Sequence, residues 1–432
     1  MISSLFYKIK NNKHYVNSFW SLMGSLLPKF AIFLTSIFLA RILNAEKFGD
    51  LSVVRSTINM FTVFASSGLG LTATKFISEY YNENSQEKSK ASEIISLSNF
   101  ISFTLGIIIS LLVLLFSKSI SDKIIGKPYL QIEIIIGAFM LLFNAINASQ
   151  IGILSGFQKY KVIAVNSLVA VLLSFPIQIF GAYYFQIEGA LLGFTVNFIL
   201  LYLFNFFSIK KLKKQYGIQT KWRDYNKVMH VFYKFTIPSS LSSLMVTPIT
   251  WFITVLLIRS QNGSYNLGVF EAANQIKMVI IFIPIALSNA LLPLLMENKG
   301  KSNKKDIINN NIRLNFIISG TICLIVCLCS TLIMSMFGRE FKSESSVLIF
   351  LSISTIFMAV NNVIGQVIAS KDKMWVGFIF NLAWGGSLIV LSYIFIYIYN
   401  LGALSLALAY LLSYLFHTLW QFVYLKVFSL IN

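Results

Sequence analysis

Twelve stretches of this chain stay apolar for about 20 residues each, the length a helix needs to cross a hydrocarbon core of about 30 Å. They cover residues 18–40, 51–73, 94–116, 131–153, 162–185, 190–209, 235–258, 269–295, 312–336, 346–369, 375–399 and 401–425. In lipid, every backbone N–H and C=O must be paired inside a helix or around a closed barrel. Apolar runs of this length suit helices, so the expected fold is an all-α polytopic membrane protein. Composition agrees: 12% of the 432 residues are charged, against about 25% in soluble domains. The linkers are short. The longest, 210–234, carries Lys210, Lys211, Lys213 and Lys214, and no segment is large enough for a soluble catalytic domain.

The net charge of +19 raises nucleic acid as a partner, but the placement of the charge argues against it. Lysines and arginines gather in short loops beside apolar spans, where the positive-inside rule accounts for them. Twenty-four of the 35 fall with the N-terminus, the even-to-odd linkers and the C-terminus, and 8 fall opposite. Both termini are therefore expected in the cytoplasm. Cys323, Cys327 and Cys329 share one span and lack the mixed Cys/His spacing of a zinc site. They read as small packing residues, and neither metal nor other cofactor is expected. Residues 1–17 are polar and basic, and the span behind them is too long for a signal peptide.

The chain repeats itself at about half its length. Ala40-Arg41-Ile42 to Phe48-Gly49 resembles Ile258-Arg259-Ser260 to Leu267-Gly268. Asn147, Ser155, Tyr160 and Asn166 return as Asn362, Ser370, Trp375 and Asn381, and Gly189-Ala190-Leu191 returns as Gly402-Ala403-Leu404. Two six-helix halves follow, an N-terminal lobe over 1–209 and a C-terminal lobe over 235–432, joined by the basic linker 210–234. Six is even, so the lobes insert the same way up, as parallel repeats around a central cavity.

The remaining three cations, Lys29, Arg55 and Lys277, lie inside spans. A cation at the bilayer centre costs roughly 2.5–3.5 kcal/mol on insertion scales, so such residues are rare and usually functional. Lys29 lies about 16 Å from either end of its span, Lys277 about 12 Å deep and Arg55 about 6 Å, at 1.5 Å per residue. Snorkelling to the headgroups remains open for Arg55 and is strained for Lys277. Lys29 is beyond its reach. All sixteen Asp and Glu fall in linkers or at span edges, with Asp50, Glu133 and Glu271 borderline. A cationic interior without matching acids favours an anion, and diphosphate suits lysine and arginine donors.

Polar stripes accompany these cations. Ser18, Ser21, Ser25, Lys29 and Ser36 share a helix face beside Pro28, and Arg55, Asn59, Thr62 and Ser66 share another. The repeat equivalents carry Ser239, Ser243, Thr247, Thr250 and Thr254, and then Asn274, Lys277 and Ser288. Facing stripes would line one cavity; helix packing explains small hydroxyls equally well. Asn144, Asn147, Asn166, Asn361, Asn362, Gln366 and Asn381, with Trp251 and Trp384, offer amides and rings for sugars. Interhelical hydrogen bonding is the competing explanation. The expected cavity lining is Ser25, Asn59, Thr247, Trp251, Asn274, Asn147 and Asn362.

Three segments resemble the polysaccharide flippases of the multidrug/oligosaccharidyl-lipid/polysaccharide exporter superfamily, the O-antigen flippase group in particular. They run from Ala40-Arg41-Ile42 to Phe48-Gly49, from Ser67-Gly68-Leu69 to Lys75-Phe76, and from Gly152-Ile153-Leu154 to Lys159-Tyr160. The resemblance implies twelve helices in two rocking lobes. It implies movement of undecaprenyl-diphosphate-linked oligosaccharide from the inner to the outer leaflet of the bacterial plasma membrane. A cationic cavity from the first, second, seventh and eighth helices would hold the diphosphate, here on Lys29, Arg55 and Lys277. The bilayer and the lipid-linked oligosaccharide are the implied partners, with a polysaccharide polymerase as a further one.

Two other classes compete. A cation-coupled multidrug exporter of the same superfamily would need an intramembrane carboxylate, and none is evident. A polysaccharide polymerase or lipid-linked glycosyltransferase would need a long outer loop with catalytic residues. The outer linkers are short and carry no Asp-x-Asp, and His14, His230 and His417 are scattered. A transporter, not an enzyme, is expected.

Overall fold

The computed structural model describes residues 13–66, 68–80, 85–218, 236, 245–297, 304–371 and 373–427. Most of the linker 210–234, the serines at 239 and 243 and Ser67 lie outside the described residues, as do the side chains of Ser18, Ser21 and Ser25. Every regular element described is helical. The main helices are α1 (Lys13–Ser66), α2 (Leu69–Tyr80), α3 (Ser85–Leu115), α4 (Gln131–Gly156), α5 (Tyr160–Gln215) and α6 (Val246–Ile258). They continue with α7 (Gly263–Glu297), α8 (Lys304–Leu328), α9 (Ser345–Ser370), α10 (Met374–Tyr393) and α11 (Leu404–Val427). Nine helices among the described residues are long and apolar enough to cross a membrane. Large apolar side chains point outward along them, with Leu115 77% and Leu328 79% exposed, as lipid-facing positions should be.

Two of the helices fold back on themselves. In α1, 54 residues long, Asn44 adopts φ 62 and ψ 176, which no helix interior tolerates. This backbone is strained for any residue but glycine, and Asn44 Oδ1 accepts the Lys47 N–H at 3.1 Å, capping the segment that follows. Thr35 and Arg55 consequently line the same cavity, although 20 residues of straight helix would part them by about 30 Å. In α5 the break falls at Phe185 and Gln186, the latter at φ 52. Gly181 and Gly189 meet across this turn so closely that a Cβ on either would strike the other's backbone. Gly193 likewise abuts the backbone of Gln178. Small residues let the two arms of the hairpin touch main chain to main chain.

The chain divides into two compact units. One comprises residues 1–35 and 54–247, the other 36–53 and 248–432. In the first, the ends of α2, α3, α4 and α5 share a core that includes Ile77, Ile94, Leu154, Phe157 and Leu212. In the second, α7, α8, α9 and α11 meet around Leu295, Ile308, Ile364 and Leu425. The tip of the α1 hairpin also belongs to the second unit. There Gly49 faces the Ser264 carbonyl and Gly268 faces the Ala45 carbonyl, and Ser264 Oγ donates to Asp50 Oδ1 at 2.7 Å. The two motifs that repeat in the sequence thus pack on each other through matching positions.

One repeat pairing shifts by a residue. Asn147 Nδ2 donates to the Phe198 carbonyl at 2.9 Å. The corresponding bond, to the Tyr414 carbonyl at 3.4 Å, comes from Asn361, not from Asn362.

Candidate functional site

Arg55 stands on the second arm of α1, half-buried, with its guanidinium carbon 4.2 Å from the centroid of the Phe194 ring on α5. A cation over an aromatic face is stabilised by about 0.5–2 kcal/mol, the more so when desolvated. Both residues line a small, partly open cavity of about 50 Å³ inside the first unit, with Thr35, Asn59, Gln178 and Asn197 among its other walls. Arg55 therefore turns inward, and the snorkelling alternative does not describe it.

The far wall of this cavity is a hydrogen-bonded row. Gln178 Nε2 donates to Ser174 Oγ at 3.0 Å, and Ser174 Oγ donates to Asn197 Oδ1 at 3.2 Å. Gln178 is buried, and its Oε1 has no hydrogen-bond partner among the described residues. A buried acceptor left unmade costs about 1–3 kcal/mol, so water or a ligand hydroxyl has a ready place there. Sequence reading missed Thr35, Gln178, Asn197 and Phe194. The spacing of Ser174 and Gln178, four apart on one span, was the available signal.

Lys29 is exposed on the first arm of α1, directly after Pro28. Lys277 on α7 is the opposite case: 2% exposed, with its Nζ 4.0 Å from the centroid of the Tyr410 ring on α11. Tyr410 in turn stacks on Phe270 and Tyr414, at centroid distances of 6.0 and 6.1 Å.

The acids near Lys277 require a correction. Sequence reading placed Glu271 at a span edge and expected an interior without carboxylates. The helix begins at Gly263, six residues before the apolar run, so Glu271 lies two turns inside it and is half-buried. It is close enough to Lys277 to interact electrostatically. Asn274 Nδ2 and Gln275 Nε2 donate to its two oxygens at 3.1 and 2.6 Å. Asp50 and Glu133 are buried as well.

The remaining expected residues separate into groups. Asn59 accompanies Arg55 in the cavity, and Asn274 lies one turn from Lys277 on α7. Thr247 and Trp251 are half-buried on α6. Asn147 ties α4 to α5, and Asn166 ties the arms of α5 through Asn205 at 3.0 Å, so these amides serve helix packing. Asn362 is half-buried on α9, its Nδ2 without a hydrogen-bond partner among the described residues.

The model of the polysaccharide biosynthesis protein family matches residues 15–299, and that of the MatE family matches 238–398. The EPS I polysaccharide export inner membrane protein EpsE of Ralstonia solanacearum is 25% identical over 205 residues, 46% of each chain. The alignment thus spans about half the length of that relative. A putative O-antigen transporter of Shigella flexneri is 23% identical over 339 residues, 76% of this chain and 78% of its own. Among solved structures, the inward-facing form of a MATE family multidrug transporter of the MOP superfamily superposes with a TM-score of 0.72. It is 15% identical and covers 95% of this chain and 99% of its own. The lipid II flippase MurJ in an inward closed conformation gives 0.75 at 16% identity, over 93% of this chain and 86% of its own. These two likenesses establish a shared fold. The family match extends over well more than half of the residues: the chain belongs to the polysaccharide biosynthesis protein family.

Proposed function

We propose that this protein is a flippase that carries undecaprenyl-diphosphate-linked oligosaccharide, an O-antigen or similar repeat unit, across the bacterial inner membrane by alternating access. In this reading twelve helices form two parallel six-helix lobes, 1–209 and 235–432, joined by 210–234, with both termini in the cytoplasm. The names of the relatives, a polysaccharide export protein in Ralstonia and a putative O-antigen transporter in Shigella, support it. The observation that carries it is the inward turn of Arg55, a permanent cation facing a polar cavity within apolar helices. Lys29, Arg55 and Lys277 would hold the diphosphate. Ser25, Asn59, Thr247, Trp251, Asn274 and Asn362 would line the path of the sugars, and a polysaccharide polymerase would take the product.

The test replaces Lys29, Arg55 and Lys277 singly with Ala in a host that depends on this protein for surface polysaccharide. Output is compared at matched protein level in the membrane. At least a tenfold loss is expected for Arg55→Ala, since hydrogen bonds to charged groups contribute roughly 1.5–3 kcal/mol. Unchanged output from all three variants would remove the diphosphate site.

One observation favours a second reading, a cation-coupled multidrug exporter. Glu271 supplies the half-buried carboxylate such an exporter needs, and the MatE family match includes it. Drug resistance conferred on a sensitive host, abolished by Glu271→Gln, would replace the flippase reading with this one.

A further inference from the structure

A ring of lysines crowns one end of the first unit. The core shared by α2, α3, α4 and α5 has Phe76, Tyr80 and Tyr216 at its rim, and a lysine rides over each ring. The Nζ atoms of Lys75, Lys90 and Lys159 stand 5.0, 5.4 and 5.8 Å from the centroids of Phe76, Tyr80 and Tyr216. Lys161 stands 5.3 Å from the centroid of Trp20. The lysines at 210, 211, 213 and 214 end α5 beside Tyr216, which stacks on Phe157 at 5.4 Å. Eight lysines from α2, α3, α5 and the turn that opens α5 thus collect at one end, where the same segments also carry Glu79 and Glu93.

At Lys90, Lys159 and Lys161 the ring faces hold the ammonium groups at about the cation–π distance without consuming N–H donors, which stay available to an acceptor in water. Exposed apolar side chains begin immediately inside this ring. Phe206 and Phe207 precede Lys210 by three or four residues, and Val165 follows Lys161 by four; all three are exposed. One helical turn is about 5.4 Å. The step from acyl chain to headgroup is of this size, which a soluble acidic partner would not require.

We propose that this rim is a docking surface for anionic phospholipid headgroups, held by lysines that aromatic rings keep in place. The positive-inside rule asks only for positive charge on one side. It does not ask for ammonium groups perched on rings around a single core. The surface binds lipid phosphate beside the helices and is separate from the Arg55 cavity, so it stands or falls independently of the transport reading.

The test uses the full chain in bilayers with spin-labelled phosphatidylglycerol or phosphatidylcholine as probes. Electron spin resonance gives the relative association of each lipid with the protein. Preference for phosphatidylglycerol is expected in low salt and should fall as salt is raised. A lysine near an anionic surface contributes roughly a fivefold preference, so removing several should abolish most of it. K159Q/K161Q/K210Q/K214Q should lose it, the matching arginine variant should keep it, and K118Q/K123Q/K127Q, between α3 and α4 in the same unit, should leave it intact. Equal association of both lipids with the wild-type protein would overturn the proposal, as would an equal loss from the control variant. Loss of the preference with inorganic pyrophosphate at constant ionic strength would also overturn it, by assigning the ring to free phosphate. If the glutamine variant fails to insert, the wild-type salt series still decides.

Discussion

Arg55 and Lys277 look alike in the sequence, each a lone cation in an apolar span, yet their surroundings differ. Arg55 borders open space with amides opposite, whereas Lys277 is enclosed by rings and has Glu271 for company. Their substitutions should therefore separate. Arg55→Lys keeps the charge but loses the planar fork that suits both a ring face and a phosphate, so it should retain part of the output that Arg55→Ala loses. Lys277→Met should show a stability effect as well, because it leaves Glu271 half-buried without its nearby cation. Removing one member of a buried pair costs about 3–5 kcal/mol, and partial exposure places this case lower. Thermal unfolding of the detergent-solubilised protein checks it, with Tyr410→Leu expected to shift the midpoint in the same direction. An unchanged midpoint for both variants would mean that the ring and the acid do not hold Lys277.

The breaks in α1 and α5 decide which side chains share a wall. Asn44→Ala removes the cap on Lys47 and should cost about 1–2 kcal/mol. Gln186 has no glycine's freedom at φ 52 and ψ −128, so Gln186→Gly should stabilise by about 1 kcal/mol. Gly189→Leu should do the reverse by forcing the arms of α5 apart, and with them Gln178 from Asn197. Thermal unfolding reads all three. The spans themselves were legible because apolar length is a one-dimensional property. The inner wall of the first unit was not. Gln178 and Asn197 lie 19 residues apart on opposite arms of a hairpin, and nothing local marks them as neighbours. Glu271 was misplaced for a related reason, since the helix starts before its apolar run and an acid near the run's edge can still lie well inside.

At the scale of the molecule, the sequence made the repeat visible, and the structure shows what some of it does. Asn147 and Asn361 each donate to a backbone carbonyl on a later helix, a tie that recurs once per half. This explains why amides recur along the chain without any appeal to sugars. Substitution by Asp at either position should impair folding more than transport by the folded fraction, which comparing output with the amount of monodisperse protein would show. Gly49 and Gly268 carry the repeat further, for each lies against the stretch that holds the other. A side chain gained at either would push on the same seam, so insult at one position cannot be relieved by trimming the other, which is already bare. Two codons some 219 positions apart are thereby bound to a common fate, and the seam has no slack left in which to drift.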